Sequence, residues 1–259
     1  MTITGTTRLL PIIGHPASGV FSPPAFNKAF ADKGLDVVMV AMDVPPEALD
    51  AFWALLRASS GILGCSVTYP HKQRAFQDVD DLTPQARRLG AINTIRAEKG
   101  RLFGDATDGH AMCHAIDQTG TVIMGASSHV LGAGGGAGIA IVDALCERGI
   151  AHLHLQDTDP ARLETAKQLV AQHWPEVEIM RYDEPADILI NATTLGKEAT
   201  DACPFDPARI DAAKLVCDVV TSPAPTRLIQ TARGLGIACV TGEDMGRGQL
   251  DRQLAFLKL

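Results

Sequence analysis

The stretch Val130-Leu131-Gly132-Ala133-Gly134-Gly135-Gly136-Ala137-Gly138 limits what this chain can fold into more than any other. An apolar run over 128–131 leads into it. A helical pattern through Ile139, Ile141, Val142, Leu145 and Cys146 leads out. Strand, glycine turn and helix in that order form the cradle that a dinucleotide pyrophosphate requires. Gly132 permits a tight turn, Gly134 lets phosphate oxygens reach the backbone, and Ala137 lets helix and strand pack closely. The N–H groups that open the helix then face the negative charge. Residues 152–156 read as the next strand, and Asp157 ends it, 25 positions after Gly132. An acid near that distance binds the adenosine ribose. The competing reading is a glycine-rich turn in some other α/β protein, and Asp157 at a strand end favours the dinucleotide.

The rest of the composition narrows the class. With 259 residues, 46% hydrophobic and 20% charged, the chain suits a soluble globular protein of one large or two modest domains. Its net charge is −7 and it has no basic block, which argues against nucleic acid as a partner. Apolar runs are short and broken by Gly or Pro, so no membrane span is expected. Met1-Thr2-Ile3-Thr4-Gly5 does not read as a secretion signal. The six cysteines (65, 113, 146, 203, 217 and 239) form no CxxC, which predicts reduced thiols in a cytoplasmic protein. His110 and His114 are four apart but lack the acid of an HExxH arrangement, so no metal site is expected.

Two domains emerge along the chain. In the first, strands are expected over 8–13, 36–41 and 61–68, with helices over 25–33 and from Pro45 onward. Residues 93–96 and 101–103 flank Glu98-Lys99-Gly100 as a hairpin. In the second, strands are expected over 128–131, 152–156, 177–180, 187–190, 215–220 and 237–240, and helices over 136–148, 160–173 and 225–233. That alternation predicts a parallel, doubly wound sheet. The fold class is therefore α/β, an N-terminal α/β substrate domain plus a Rossmann-type dinucleotide-binding domain. Residues 1–106 form the first domain, completed by a C-terminal helix over 243–259, and 107–242 form the second.

Three polar clusters interrupt the apolar elements: Ser66-Val67-Thr68-Tyr69-Pro70-His71-Lys72, Gly90-Ala91-Ile92-Asn93-Thr94, and Gly104-Asp105-Ala106-Thr107-Asp108-Gly109. A small substrate usually sits in a cleft beside its dinucleotide. A Lys and an Asp facing each other there could exchange a proton with a substrate hydroxyl as hydride moves to or from nicotinamide. Spacing alone leaves Lys72 open as a solvated lysine and Asp108 as a helix cap.

These clusters, in this order and followed by the glycine turn, resemble the shikimate dehydrogenase family over nearly the whole chain. Gly14-His15-Pro16 with Ser22-Pro23 and Asn27 is similar to its substrate loop. Val67-Thr68-Tyr69-Pro70-His71-Lys72 resembles VTxPxK, which implies Lys72 as catalytic lysine. Gly90-Ala91-Ile92-Asn93-Thr94 resembles GAxNT, and Thr107-Asp108-Gly109 the TDG that supplies a catalytic aspartate. Asn191-Ala192-Thr193-Thr194-Leu195-Gly196 resembles NATxxG, and Gly242-Glu243-Asp244-Met245 with Gln249 resembles GxxMxxxQ. The resemblance implies hydride transfer between a nicotinamide dinucleotide and shikimate/3-dehydroshikimate or a close relative such as quinate. It implies substrate contacts from Ser22, Ser66, Thr68, Asn93 and Gln249. Cofactor contacts are implied from Gly132, Ala133, Gly134, Gly135, Gly136, Ala137, Asp157, Thr158, Asn191, Thr193, Val219 and Gly242, with a monomer or homodimer as the assembly. Rival readings are a methylenetetrahydrofolate dehydrogenase and a catalytically weakened dinucleotide-binding paralogue.

The departures from the family pattern are concentrated at the substrate end. In Gly19-Val20-Phe21-Ser22-Pro23, Val20 replaces one of the two serines that bind the substrate carboxylate. Phe26 stands where a His precedes the Asn, Ser66 replaces an Asn, and Thr221 follows Asp218-Val219-Val220 where a Tyr is common. Each lost hydrogen bond to a charged group costs roughly 1.5–3 kcal/mol. Weak shikimate binding, or a substrate that differs at the carboxylate end, is therefore expected. At the cofactor end, Asp157-Thr158-Asp159 replaces the NRT-like segment that grips the 2′-phosphate of NADP. The two carboxylates predict a preference for NAD, with NADP possible through nearby Arg162.

Overall fold

The computed structural model describes residues 2–18, 20, 22–181, 184–198 and 200–259. Gly19 and Phe21 of the expected substrate loop lie outside the described residues. The chain divides into two compact units, Met1–Thr107 with Leu250–Leu259, and Asp108–Gln249.

In the first unit the elements run β1 (Arg8–Leu9), β2 (Ile12–Gly14), α1 (Ser22–Asp32), β3 (Val37–Val38), β4 (Ala41–Asp43), a 3-10 turn (Pro46–Ala48), α2 (Leu49–Ala58) and β5 (Gly64–Val67). They continue with α3 (Lys72–Asp78), β6 (Asp81–Leu82), α4 (Pro84–Leu89), β7 (Thr94–Glu98) and β8 (Arg101–Asp105). The single strand expected over 8–13 is two strands. β1 pairs with β3, whereas β2 joins a six-stranded sheet of order β4-β2-β5-β7-β8-β6. Pro11 lies between them and has no N–H to give either ladder, so the chain changes sheets there. The 36–41 strand splits in the same way, into β3 and β4. The helices α3 and α4 are seven and six residues long, too short for periodicity to reveal.

The sheet is mixed, with β5-β7-β8 antiparallel and the other pairs parallel. Side chains on β2 and β5 alternate between its faces. Ile13, Cys65 and Val67 pack with Phe52, Trp53 and Leu56 of α2. Ile12 packs on the opposite face with Phe26 and Phe30 of α1 and with Leu254 and Leu257. Fully burying a side chain such as Phe30 stabilises by roughly 1.5–3 kcal/mol.

The second unit contains α5 (Asp108–Gln118), β9 (Ser127–Leu131), α6 (Gly136–Glu147), β10 (His152–Gln156), α7 (Pro160–His173), β11 (Glu178–Ile179), β12 (Ile188–Asn191), α8 (Pro207–Ala212), β13 (Leu215–Asp218), α9 (Arg227–Gly234) and β14 (Ala238–Val240). The helix α10 (Gly242–Leu257) starts in this unit and ends in the other. Its start follows from a reciprocal cap. Thr241 N and Oγ1 donate to Asp244 Oδ2 at 2.9 and 2.6 Å, and Asp244 N donates back to Thr241 Oγ1 at 3.2 Å. All six strands are parallel, in the order β11-β10-β9-β12-β13-β14. That is the doubly wound, Rossmann-type arrangement, whose order reverses between β9 and β12. No helix among the described residues is long and apolar enough to cross a membrane.

Candidate active site

In a doubly wound sheet, ligands bind outside the carboxyl ends of the strands where the order reverses. Here that point joins the glycine turn after β9 to the loop after β12. Gly132 has φ +75°, and a Cβ on it would lie 2.9 Å from Thr193 Cγ2 and 3.0 Å from Ala192 O. Only glycine satisfies both the turn and that contact.

The amides of the turn bond within the protein. Gly132 N and Ala133 N donate to Gln156 O at 2.8 and 3.0 Å, and Gly135 N donates to Gly132 O at 3.0 Å. Gly134 N donates to Asp157 Oδ2 at 3.0 Å. These residues therefore shape the cradle. The amides at the start of α6, at Gly136 and Ala137, have no side-chain cap at Gly135 and are the donors such a helix end offers an anion. A Cβ on Gly134 would lie 2.1 Å from Arg162 O, so its bareness admits the start of α7. A Cβ on Gly138 would lie 1.9 Å from Gly132 O, so the start of α6 also packs closely on the turn at Gly138.

Asp157 follows β10 directly. Its Oδ2 accepts from Gly134 N and its Oδ1 from Asp159 N at 3.0 Å. Thr158 is exposed. Asp159 caps α7, accepting from Ala161 N and Arg162 N, and its Oδ2 lies 3.5 Å from Arg162 Nε.

The loop after β12 is tied down by a buried knot. Asn191 Nδ2 donates to Asp218 Oδ1 at 2.9 Å and to Leu195 O at 3.0 Å. Its Oδ1 accepts from Thr193 N and Oγ1 at 3.1 and 2.6 Å. Asp218 also accepts from Val220 N and from Thr226 Oγ1. Burial raises the Asp218 carboxyl above its ordinary value, against these hydrogen bonds. Val219 N donates to Asn191 O at 3.0 Å, and a Cβ on Gly242 would lie within 2.8 Å of the Val219 carbonyl oxygen. Asn191, Thr193, Val219 and Gly242 thus gather around one loop cluster. Asp218, which binds that cluster together, was missed as a site residue. Its only sequence signal is a carboxylate at the end of an apolar strand.

Asp108 opens α5. Gln249 Nε2 on α10 donates to its Oδ1 at 2.6 Å, which joins positions 141 residues apart. The first turns of α10 lie close to α5, and a Cβ on Gly248 would be 2.7 Å from Ala111 O.

In the first unit, Lys72 is half-buried at the start of α3, with its carbonyl accepting from Ile92 N at 3.1 Å. That bond holds the GAxNT-like segment beside the lysine's backbone. Asn93 is buried: its Nδ2 donates to Thr107 Oγ1 at 3.0 Å, and its Oδ1 accepts from Thr107 N at 2.9 Å and Thr94 Oγ1 at 3.1 Å. Ser66 Oγ donates to Gln253 Oε1 at 2.8 Å. Thr68 is half-buried after β5, with its amide donating to Ile13 O. Ser22 opens α1. Val20 packs against the cluster of Phe26, Leu254 and Leu257, so two departures of the substrate loop, Val20 and Phe26, share one apolar contact set. The Asn27 amide clips the backbone of Met39, at 2.7 and 2.9 Å.

Residues 12–95 match the family model described as "Shikimate dehydrogenase substrate binding domain". A shikimate dehydrogenase (NADP(+)) of Rubrobacter xylanophilus is 39% identical over 251 residues, covering 94% of this chain and 88% of the relative. A shikimate 5-dehydrogenase of Listeria monocytogenes, solved in complex with shikimate and NAD, superposes with a TM-score of 0.90 at 27% identity. That match covers 100% of this chain and 94% of that one. A ligand-free 5-ketofructose reductase of a Gluconobacter species superposes with a TM-score of 0.89 at 25% identity, covering 97% and 92%.

Proposed function

The chain belongs to the shikimate dehydrogenase family, an NAD(P)-dependent oxidoreductase acting on a CH–OH group, and from that premise we propose that it interconverts shikimate and 3-dehydroshikimate, or a close cyclic polyol acid, with NAD preferred. The observation that carries this reading is the 2.6 Å bond from Gln249 to Asp108, which brings the TDG-like and GxxMxxxQ-like segments to one place. A nicotinamide dinucleotide, when bound, accepts or returns the hydride. Lys72 takes the proton of the substrate hydroxyl in the oxidative direction and returns it in the reductive one. Asp108 serves as the catalytic carboxylate, and Gln249 orients it. Asn93, Thr68, Ser66 and Ser22 serve as substrate-side polar groups.

The glycine turn and the uncapped start of α6 suit a pyrophosphate, and the Asn191 loop suits the nicotinamide end. The relatives named for NADP(+) favour NADP. In this chain the 157–159 segment favours NAD, because its two carboxylates repel a 2′-phosphate and Arg162 stands beside Asp159. A monomer or homodimer is the assembly proposed.

Steady-state kinetics with shikimate, quinate and aminoshikimate, each with NAD and NADP, test the proposal. Turnover of at least one of these acids with a higher kcat/KM for NAD is expected. No turnover of any, or a tenfold preference for NADP, would overturn the corresponding part. A second reading, a neutral polyol or keto sugar as substrate, is favoured by Val20 in an apolar cluster and by the resemblance to 5-ketofructose reductase. Reduction of such a sugar faster than 3-dehydroshikimate would select it.

A further inference from the structure

On α10, Leu250, Leu254 and Leu257 form the stripe that packs on the Phe26–Phe30 face of the first unit, and Gln253 sits inside that stripe. It is 3% exposed. A buried carboxamide in a leucine stripe carries a desolvation cost unless bonded, together with the ordering of a long flexible side chain. Both of its ends are engaged. Its Oε1 accepts from Ser66 Oγ at 2.8 Å, and its Nε2 reaches Thr107 Oγ1 at 3.5 Å. Thr107 Oγ1 is the atom that meets the Asn93 amide at 3.0 Å, and Thr107 N holds Asn93 Oδ1 at 2.9 Å. Ser66, Thr107, Asn93 and Gln253 are all at most 3% exposed. The alternation along β5 aims Ser66 at this face, because Cys65 and Val67 point to the other. The neighbouring Arg252 places its Nε 3.7 Å from the buried Asp105 Oδ2, so α10 delivers two consecutive polar side chains to this region.

We infer that Gln253 is a positioning residue for substrate binding: its carboxamide spans Ser66 and Thr107 and thereby fixes the rotamer of Asn93. At Ser66 the strand presents only a short hydroxyl, and the helix reaches across to supply an amide. This assignment rests on the proposal that Asn93 contacts the substrate. The chain of contacts itself, Gln253 to Thr107 to Asn93, does not depend on which substrate it is.

Two measurements on the full-length protein separate these dependencies. The first uses no substrate: hydrogen exchange of the Asn93 side-chain amide, followed by NMR, in the native chain and in Gln253→Met. Met has similar length and no hydrogen-bonding amide. Exchange at least tenfold faster in the variant is expected, and an unchanged rate overturns the inference. The second is kinetic, with the best acid from the panel above. Gln253→Met is expected to raise KM for the acid about tenfold and leave the dissociation constant for NAD unchanged. In an Asn93→Ala background the same substitution should change KM less than twofold. An equal rise in both backgrounds would mark a merely structural role and overturn the inference. If Gln253→Met does not fold, Ser66→Ala removes the hydrogen bond that anchors Gln253 Oε1 and is read in the substrate-free exchange assay, because Ser66 is itself a proposed substrate group; an increase of about threefold is expected, and an unchanged rate overturns the inference. Absence of turnover by the native protein would refute the substrate proposal, whereas the exchange result would still decide the role of Gln253.

Discussion

Around the glycine turn of the second unit, the contacts that fix the site are mostly main-chain ones. Gly132 and Ala133 both donate to Gln156 O, Gly135 donates to Gly132 O, and Gly138 is bare because Gly132 O occupies the space of its Cβ. Around Asn93 in the first unit they are largely side-chain contacts, from Thr107, Thr94, Ser66 and Gln253. A backbone-built site is specified by topology and tolerates many sequences that keep the glycines. A side-chain-built site can be re-tuned by one replacement. Three of the atypical residues, Val20, Phe26 and Ser66, are in the first unit; in the second the glycine turn keeps its pattern, and the departures there, Asp157-Thr158-Asp159 and Thr221, lie outside the turn.

The largest effect separates the two sites directly. Lys72→Ala should lower kcat by about 10²–10⁴-fold, the usual worth of a positioned proton-transfer group. NAD affinity, measured by fluorescence titration, should stay within about twofold. A variant with near-normal kcat would remove Lys72 from the chemistry, and a parallel loss of NAD affinity would show that the two sites are not held by separate means.

Acid should act on the second unit through His129. On β9 the ring is fully buried, its centroid 5.7 Å from that of His154 on β10 and 5.1 Å from that of Phe205, which precedes α8. Burial depresses it to about 4 from 6.5. The unfolded chain therefore binds the proton first as pH falls. The contribution to stability is complete above about pH 6.5 and is lost progressively down to about pH 4. At about 1.4 kcal/mol per pH unit, the amount at stake is at most about 3 kcal/mol. Denaturant melts at pH 7 and 4.5 should show His129→Phe losing less stability than the native chain over that interval. Asp218, raised by burial, acts in the opposite direction, and the native-minus-variant difference cancels it. An equal loss in both proteins would contradict the assignment.

The same contrast explains what the sequence reveals. The strands 128–131, 152–156 and 187–190 could be placed because a parallel sheet buried on both faces writes near-continuous apolar runs. The glycine turn was legible because few backbones other than such a turn need so many glycines. Which glycine meets which atom was not, since Gly134 answers to Arg162 on α7 and Gly138 to Gly132. In the first unit the motif residues Lys72 and Asn93 were found by resemblance, but α3 and α4 are too short to show a period. Gln253 was illegible for a different reason: in the sequence it is one polar residue in an amphipathic helix, and only the packing of α10 turns it inward.

Gly138→Ala tests the backbone side of the comparison. The added Cβ would fall 1.9 Å from Gly132 O, against a main-chain atom that cannot swing aside. Overpacking of this kind costs about 1–3 kcal/mol. NAD affinity should fall with stability, while the exchange of the Asn93 amide should not change. Unaltered stability would show that the turn has room to move.

The smallest expected effect is the most specific to this chain. Asp157 is a structural residue as well as a candidate ribose ligand, because its two oxygens hold Gly134 N and Asp159 N. Replacing it alone would loosen the turn and confound selectivity with damage. Thr158 is exposed and lies between the two acids, so it can be changed without breaking those bonds. An arginine there adds a phosphate-matching fork at the site of the expected 2′-phosphate. Thr158→Arg should therefore move the ratio of kcat/KM for NADP over NAD upward by about tenfold, or about 1.4 kcal/mol. Thr158→Lys should move it less, because an ammonium is a point charge without the bidentate fork. Both shifts should shrink as salt rises, since screening weakens exposed charge pairs first. A ratio indifferent to either cation would mean that the ribose end of the dinucleotide does not reach the 157–159 segment, and the proposed preference for NAD would lose its support.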